Sequence, residues 1–175
     1  ILSKPVFFDL SKDDDKTKIQ ELISQNKIQA VIDDYEEQLK ELFESNNPSV
    51  AFSPDRQSAF EEYKKSLSGN QVEMGKWVFF PWLSKLTHIL DDNDFQFVRT
   101  SRNKNLITKE EQEKFYNSTV GIGGLSVGSS VAIAIVLQGG AKYIKIADMD
   151  KLALSNINRI PSGVDSGYLT GSKLI

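Results

Sequence analysis

The segment from Asn117 to Arg159 constrains the chain most tightly. Ser118 to Ile122 reads as a strand and runs into the turn Gly121-Ile122-Gly123-Gly124. Val127 to Leu137, rich in Ala, Val and Ile, reads as a buried helix, and Gly139-Gly140 ends it. Tyr143 to Ala147 reads as a second strand, closed by Asp148. Strand, glycine turn, helix and strand together predict a βαβ unit. Glycine permits the tight turn and lets backbone N–H groups approach an anion, while the following helix points its positive end at the same place. In a parallel pair Asp148, about 25 residues beyond the turn, falls at the same sheet edge, where a carboxylate accepts ribose hydroxyls. Gly121, Gly123, Gly124 and Asp148 are thus candidate nucleotide-binding residues. A loop turn beside a structural Asp is the plain alternative.

The dinucleotide fingerprint is incomplete. G-x-G-x-x-G counted from Gly121 needs a glycine where the chain has Ser126, and Gly128 follows two residues later. The third glycine normally permits close helix–strand packing, so Ser126 is a real departure. Downstream stand Asp148-Met149-Asp150 and Ser155-Asn156-Ile157-Asn158-Arg159. In this order and spacing the motifs resemble the adenylation domain of the ubiquitin-activating superfamily, of the ThiF/MoeB/HesA type, over about residues 99–175.

The resemblance implies a Rossmann-like domain that binds ATP and Mg²⁺. It further implies transfer of AMP to the C-terminal carboxylate of a small ubiquitin-like or sulfur-carrier protein, or of a peptide. Gly121, Gly123, Gly124, Asp148 and Asp150 would line the nucleotide site, and Asn156 and Arg159 would meet the phosphates. Lys173, in Gly171-Ser172-Lys173, resembles the family's phosphate-contacting lysine; Arg102 resembles the arginine donated across a dimer interface. Arginine and lysine suit the charge that builds on phosphoryl oxygens, with Mg²⁺ sharing the load. The family's Mg²⁺-binding aspartate, and its cysteine where there is one, lie downstream of the position matching Ile175. The expectation is therefore a first part of the domain, inactive by itself. Trp77-Val78-Phe79-Phe80-Pro81-Trp82 with Arg99-Thr100-Ser101-Arg102-Asn103 also resembles bacterial members joined to a nitroreductase-like region. An NAD(P)- or flavin-linked oxidoreductase using the same turn is an alternative, as is a non-catalytic nucleotide-binding relative. Ser-Asn-x-x-Arg counts against the oxidoreductase.

Charge divides the chain at the same place. Residues 1–98 carry 11 Lys/Arg against 18 Asp/Glu, and residues 99–175 carry 10 against 6. The basic half is the one with the phosphate-type turn. No basic run interleaved with aromatics suggests nucleic acid, and no apolar run approaches the roughly 20 residues that span a bilayer. With no cysteine and one histidine, a thiolate zinc site, a disulfide and a histidine cluster are excluded within these residues, and a cytoplasmic location is compatible.

Residues 1–98 are expected to be an acidic, mainly helical α+β module. Pro5 to Phe8 suits an edge strand, Asp13 to Ser24 a helix, and Ile28 to Phe43 an amphipathic helix stopped at Asn46-Asn47-Pro48. Pro54 to Leu67 predicts another helix, Trp77 to Phe80 a strand and Trp82 to Leu90 a short helix holding His88 as a packing residue. The Trp77, Phe79, Phe80 and Trp82 cluster reads as core more than as a partner surface. Asp91 to Asp94 reads as a solvated break, Phe95 to Val98 as a strand, and Thr108 to Glu111 as a capping box opening a helix to near Tyr116.

Overall fold

The computed structural model describes residues 4–160. The chain is a mixed α/β protein that divides into two compact units, Ile1–Ser101 and Arg102–Ile175. No helix among the described residues is long and apolar enough to cross a membrane.

The first unit is built on a four-stranded mixed sheet. Strands β1 (Val6–Phe8), β2 (Ala30–Asp33), β3 (Lys76–Phe80) and β4 (Lys85–Ile89) lie in the order β1-β3-β4-β2. β1 and β4 flank β3 antiparallel, and β2 runs parallel to β4. As the strand between two neighbours, β3 buries consecutive residues Trp77, Val78 and Phe79, as a strand covered on both faces must.

Helices α1 (Asp13–Ser24), α2 (Tyr35–Asn46), α3 (Pro48–Ala51), α4 (Arg56–Ser66) and α5 (Asp92–Thr100) complete the unit. α2 buries Tyr35, Leu39, Leu42 and Phe43, an i, i+4, i+7, i+8 stripe. These side chains pack on Phe60 of α4 and on Leu90.

Four expectations for this unit are corrected. The helix expected over 28–43 is two elements: Val31 and Ile32 belong to β2, and α2 starts only at Tyr35. The β-branched pair suits a strand, and its partner β4 lies far away in sequence. Trp82 to Leu90 is not helical. Pro81 to Ser84 forms the turn of a hairpin, and Leu86 and His88 alternate inward along β4. The spacing of Leu86, Ile89 and Leu90 imitates a helical face and hides a period of two. Asp91 is the cap of α5, its carboxylate accepting from the N–H groups of Asn93 and Asp94, so Phe95 to Val98 are helical. Of the aromatic cluster, Trp77 and Phe79 are core, whereas Trp82 is 55% exposed.

His88 organises the centre of this unit. Its ring stacks between Tyr35 and Trp77, with centroids at 4.6 and 4.3 Å. Nε2 lies 2.8 Å from the Met74 carbonyl, which can only accept, so Nε2 carries a proton. Nδ1 lies 2.9 Å from Asp33 Oδ1 at the end of β2. One imidazole therefore ties β2, β4, α2 and the segment before β3.

The second unit holds α6 (Lys109–Tyr116), β5 (Thr119–Gly123), α7 (Gly128–Leu137) and β6 (Tyr143–Ala147). Thr108 and Glu111 form the reciprocal capping box: Oγ1 accepts from Glu111 N–H at 3.2 Å, and the Glu111 carboxylate accepts from Thr108 N–H at 2.7 Å. β5 and β6 pair in parallel from Thr119↔Tyr143 to Gly123↔Ala147. α7 is the crossover between them; the helix expected over 127–137 forms, but it has no buried residue among those described, which corrects its reading as a buried helix.

His88→Ala is expected to destabilise the first unit by about 2–4 kcal/mol in urea melts, because it empties a stacked site and strands two polar partners. Val31→Thr, at a position 58% exposed, is expected to stay within about 0.5 kcal/mol. Equal melts for the two variants would contradict the role given to the imidazole.

Candidate functional site

β5 and β6 are parallel, so both deliver their carboxyl ends to one edge. Gly123 and Ala147 are the last register pair there, and the chain leaves β5 through Gly124 and β6 through Asp148. Two hydrogen bonds close this edge. Gly124 N–H donates to the Ala147 carbonyl at 2.8 Å, and Leu125 N–H donates to Asp148 Oδ2 at 2.6 Å. The other oxygen, Oδ1, accepts from Asp150 N–H at 2.7 Å. Asp148 is half-buried and Asp150 exposed. The strand-terminal acid thus shapes the glycine turn as well as standing beside it.

The glycines divide into two kinds. Gly124 has a φ of +83°, which an L side chain rarely adopts, and Gly128 sits so close to β5 that a Cβ would come within 2.8 Å of Ile122 Cγ2. Gly121 and Gly123, by contrast, would present a Cβ to open space with nothing within 4 Å. Among the described residues no neighbour requires glycine at these two positions; both are exposed, Gly121 within β5 and Gly123 at its end. The close helix–strand contact expected of a third glycine is made by Gly128, which leaves position 126 available for a side chain.

Ser126 uses that freedom. Its Oγ accepts from Arg159 Nε at 2.7 Å. Arg159 Nη1 donates to the Ser155 carbonyl at 3.2 Å and to Asn158 Oδ1 at 2.8 Å. One turn further along α7, Ser130 Oγ donates to the Arg159 carbonyl at 3.2 Å. Two serines four apart therefore hold both the side chain and the main chain of Arg159 against the start of the helix. Arg159 is exposed, and its Nη2 group has no acceptor among the described residues.

Asn156 is buried within the short 3₁₀ turn Leu154–Asn156. Its Oδ1 accepts from Ala153 N–H at 2.9 Å, and its carbonyl accepts from Arg159 and Ile160 N–H at 3.0 and 2.9 Å. The side-chain oxygen of Asn156 is thus committed to folding the loop that delivers Arg159.

Arg102 stands apart. It lies on the 3₁₀ segment Ser101–Asn105, where Asn103 Nδ2 donates to the Gln138 carbonyl at 3.1 Å and to Gln112 Oε1 at 2.8 Å. Gln138 caps the C-terminal end of α7, and the glycine turn is at its N-terminal end. Ten residues of helix separate them, about 15 Å at 1.5 Å per residue. Arg102 is therefore not assembled with Arg159 within one chain. Lys173 lies outside the described residues.

The backbone donors differ from those a glycine turn suggests. Gly124 and Leu125 N–H are bonded internally. Among the described residues no acceptor takes the N–H groups of Ser126, Val127, Gly128 or Ser129. With the Arg159 fork clamped beside them, these donors form a positive patch at the start of α7. Sequence reasoning passed over Ser126 and Gly128 as working positions. The signal was the pairing itself, a serine where glycine is expected and a glycine two residues later. A separate apolar groove of about 700 Å³ lies between α6 and α7, lined by Leu106, Ile107, Phe115 and Ile135.

No family model and no solved structure matches the chain. A curated protein, the Uncharacterized protein MT1398 of Mycobacterium tuberculosis (strain CDC 1551 / Oshkosh), is similar to it, 40% identical over 92 residues. The match covers 53% of this chain and spans 13% of the length of that relative.

Gly128→Ala is expected to destabilise the protein by about 1–3 kcal/mol by pressing on Ile122. The double variant Gly128→Ala/Ile122→Ala should lose less than the sum of the single losses, whereas Gly121→Ala should cost little. Additive losses in the double-mutant cycle would contradict the close contact.

Proposed function

We propose that the second unit is the first part of a Rossmann-like ATP site, and that the whole protein adenylates the C-terminal carboxylate of a small ubiquitin-like or sulfur-carrier protein or of a peptide. The observation that carries this reading is the guanidinium of Arg159 locked to Ser126 at the helix start beyond the glycine turn. A fixed guanidinium beside a helix start suits nucleotide phosphate oxygens, and the preference for a triphosphate over a dinucleotide's pyrophosphate comes from the Ser-Asn-x-x-Arg resemblance. The space over Gly123, open among the described residues, further supports a ligand laid where β5 runs into the turn.

In this reading a carboxylate oxygen of the acceptor attacks the α-phosphorus, the bond to the bridging oxygen of the β-phosphate breaks, and pyrophosphate leaves. The free N–H groups at the start of α7 and Arg159 take up the phosphoryl charge, in a geometry set before the ligand arrives. Asp148, bonded to the turn at Leu125, stands at the strand end where the resemblance places the ribose, and Asp150 lies at the same edge. Lys173 would join the phosphates, and Arg102, remote from the turn in its own chain, would act from a second copy. Among the described residues no group of three or more acidic, His or Cys side chains could hold a metal; the aspartate that the resemblance assigns to Mg²⁺ falls downstream of the position matching Ile175. A cytoplasmic homodimer, with a nitroreductase-like region elsewhere in the whole protein, completes the proposal.

The test uses the full-length protein. ATP at a hundred times its dissociation constant is expected to stabilise it by about 2.7 kcal/mol in thermal melts, and NAD is not. Pyrophosphate exchange that depends on an acceptor carboxylate should fall about a hundredfold or more in Arg159→Ala. Stabilisation by NAD alone would sink the adenylation reading in favour of an oxidoreductase. ATP binding without exchange on any acceptor would leave a nucleotide-binding relative that does not catalyse.

A further inference from the structure

We propose that Ser126 is a positioning residue that aims Arg159 at the anionic end of the bound nucleotide; this rests on the ATP reading above. Guanidinium offers five N–H donors in a rigid planar fork. Here Nε is taken by Ser126 Oγ, and Nη1 is shared between the Ser155 carbonyl and Asn158 Oδ1. Those three contacts fix the plane and the roll of the fork. They leave Nη2, with two donors, as the edge without an acceptor among the described residues.

Only one of the three contacts comes from the nucleotide turn. Ser155 and Asn158 belong to the same loop as Arg159 and would travel with it, so they cannot set where the fork stands relative to the turn. Ser126 can, because it lies between Leu125, whose N–H is tied to Asp148, and the first turn of α7. The Ser130 bond to the Arg159 carbonyl anchors the loop but leaves the side chain free to swing. The hydroxyl at 126 is therefore the contact that places the free edge of Arg159 beside the unbonded N–H groups of residues 126–129. A glycine at this position would provide no such acceptor. Gly128 makes the close packing against Ile122 that would otherwise demand it.

The experiment compares Ser126→Ala, Ser126→Thr and Arg159→Ala in the full-length protein, with ATP and adenosine as probes in NMR titrations. Ser126→Ala is expected to weaken ATP about tenfold, the usual scale for one hydrogen bond to a charged group, and to leave adenosine unchanged. Ser126→Thr, which keeps the hydroxyl, should bind ATP like the unaltered protein. In an Arg159→Ala background, Ser126→Ala should have no further effect, because it acts only through the arginine. Without any ligand, the Arg159 Nε–H signal should be slowed in exchange in the unaltered protein and in Ser126→Thr, and fast in Ser126→Ala.

Additive losses in the cycle, or equal weakening of ATP and adenosine, would overturn the positioning role. So would an Nε–H signal indifferent to Ser126. Failure of the unaltered protein to bind ATP would instead remove the adenylation reading, while the ligand-free Nε–H signal still decides whether Ser126 holds the fork.

Discussion

The bond from Leu125 N–H to Asp148 Oδ2 is the interaction on which the candidate site depends. It joins the residue after the glycine turn to the residue after the neighbouring strand, and the Gly124 bond to Ala147 reinforces it. A charge-assisted bond of this kind is roughly twice as strong as a neutral one. It fixes the direction in which the chain enters α7, and so where the unbonded N–H groups of the helix start stand. It also means that the turn has spent two of its own N–H groups on itself. Donors for an anion are found one step later, from Ser126 to Ser129.

From that fixed start, the remaining parts fall into place by short contacts. Ser126 and Ser130, one helical turn apart, hold the side chain and the main chain of Arg159. Asn156, through Oδ1 and its carbonyl, folds the loop that carries the arginine. The Asn103 side chain stitches the segment bearing Arg102 to the other end of α7. One helix thus separates two arginines that the family resemblance would assign to one site. The proposal accordingly assigns Arg102 to the nucleotide of a second chain.

The second unit was largely legible in the sequence because its signals are local. The Thr108–Glu111 box, the glycine turn and the change from strand to helix period at Val127 each act within a few residues. The first unit was harder, since β2 finds its partner β4 more than fifty residues later and the inward alternation of β4 is hidden by a helix-like spacing. The helix-like spacing of Leu86, Ile89 and Leu90, and an acidic cap mistaken for a break at Asp91, produced the remaining errors. His88 looked unpartnered for the same reason: Asp33, Tyr35 and Trp77 reach it only through the sheet. At the site, residue types were readable but their duties were not. Asp148 and Asn156 carry structural bonds that no motif announces, and Ser126 looked like a defect in a fingerprint until Arg159 was seen against it.

The most direct test of this account is an amide NMR titration of the full-length protein with ATP. The expected result is a set of large shifts at Ser126, Val127, Gly128 and Ser129, with the Gly124 and Leu125 amides staying protected from exchange because their internal bonds persist. Shifts centred on Gly124 and Leu125 with loss of their protection, or no shift anywhere near the start of α7, would contradict the claim that an anion binds at the helix start and is met there by Arg159.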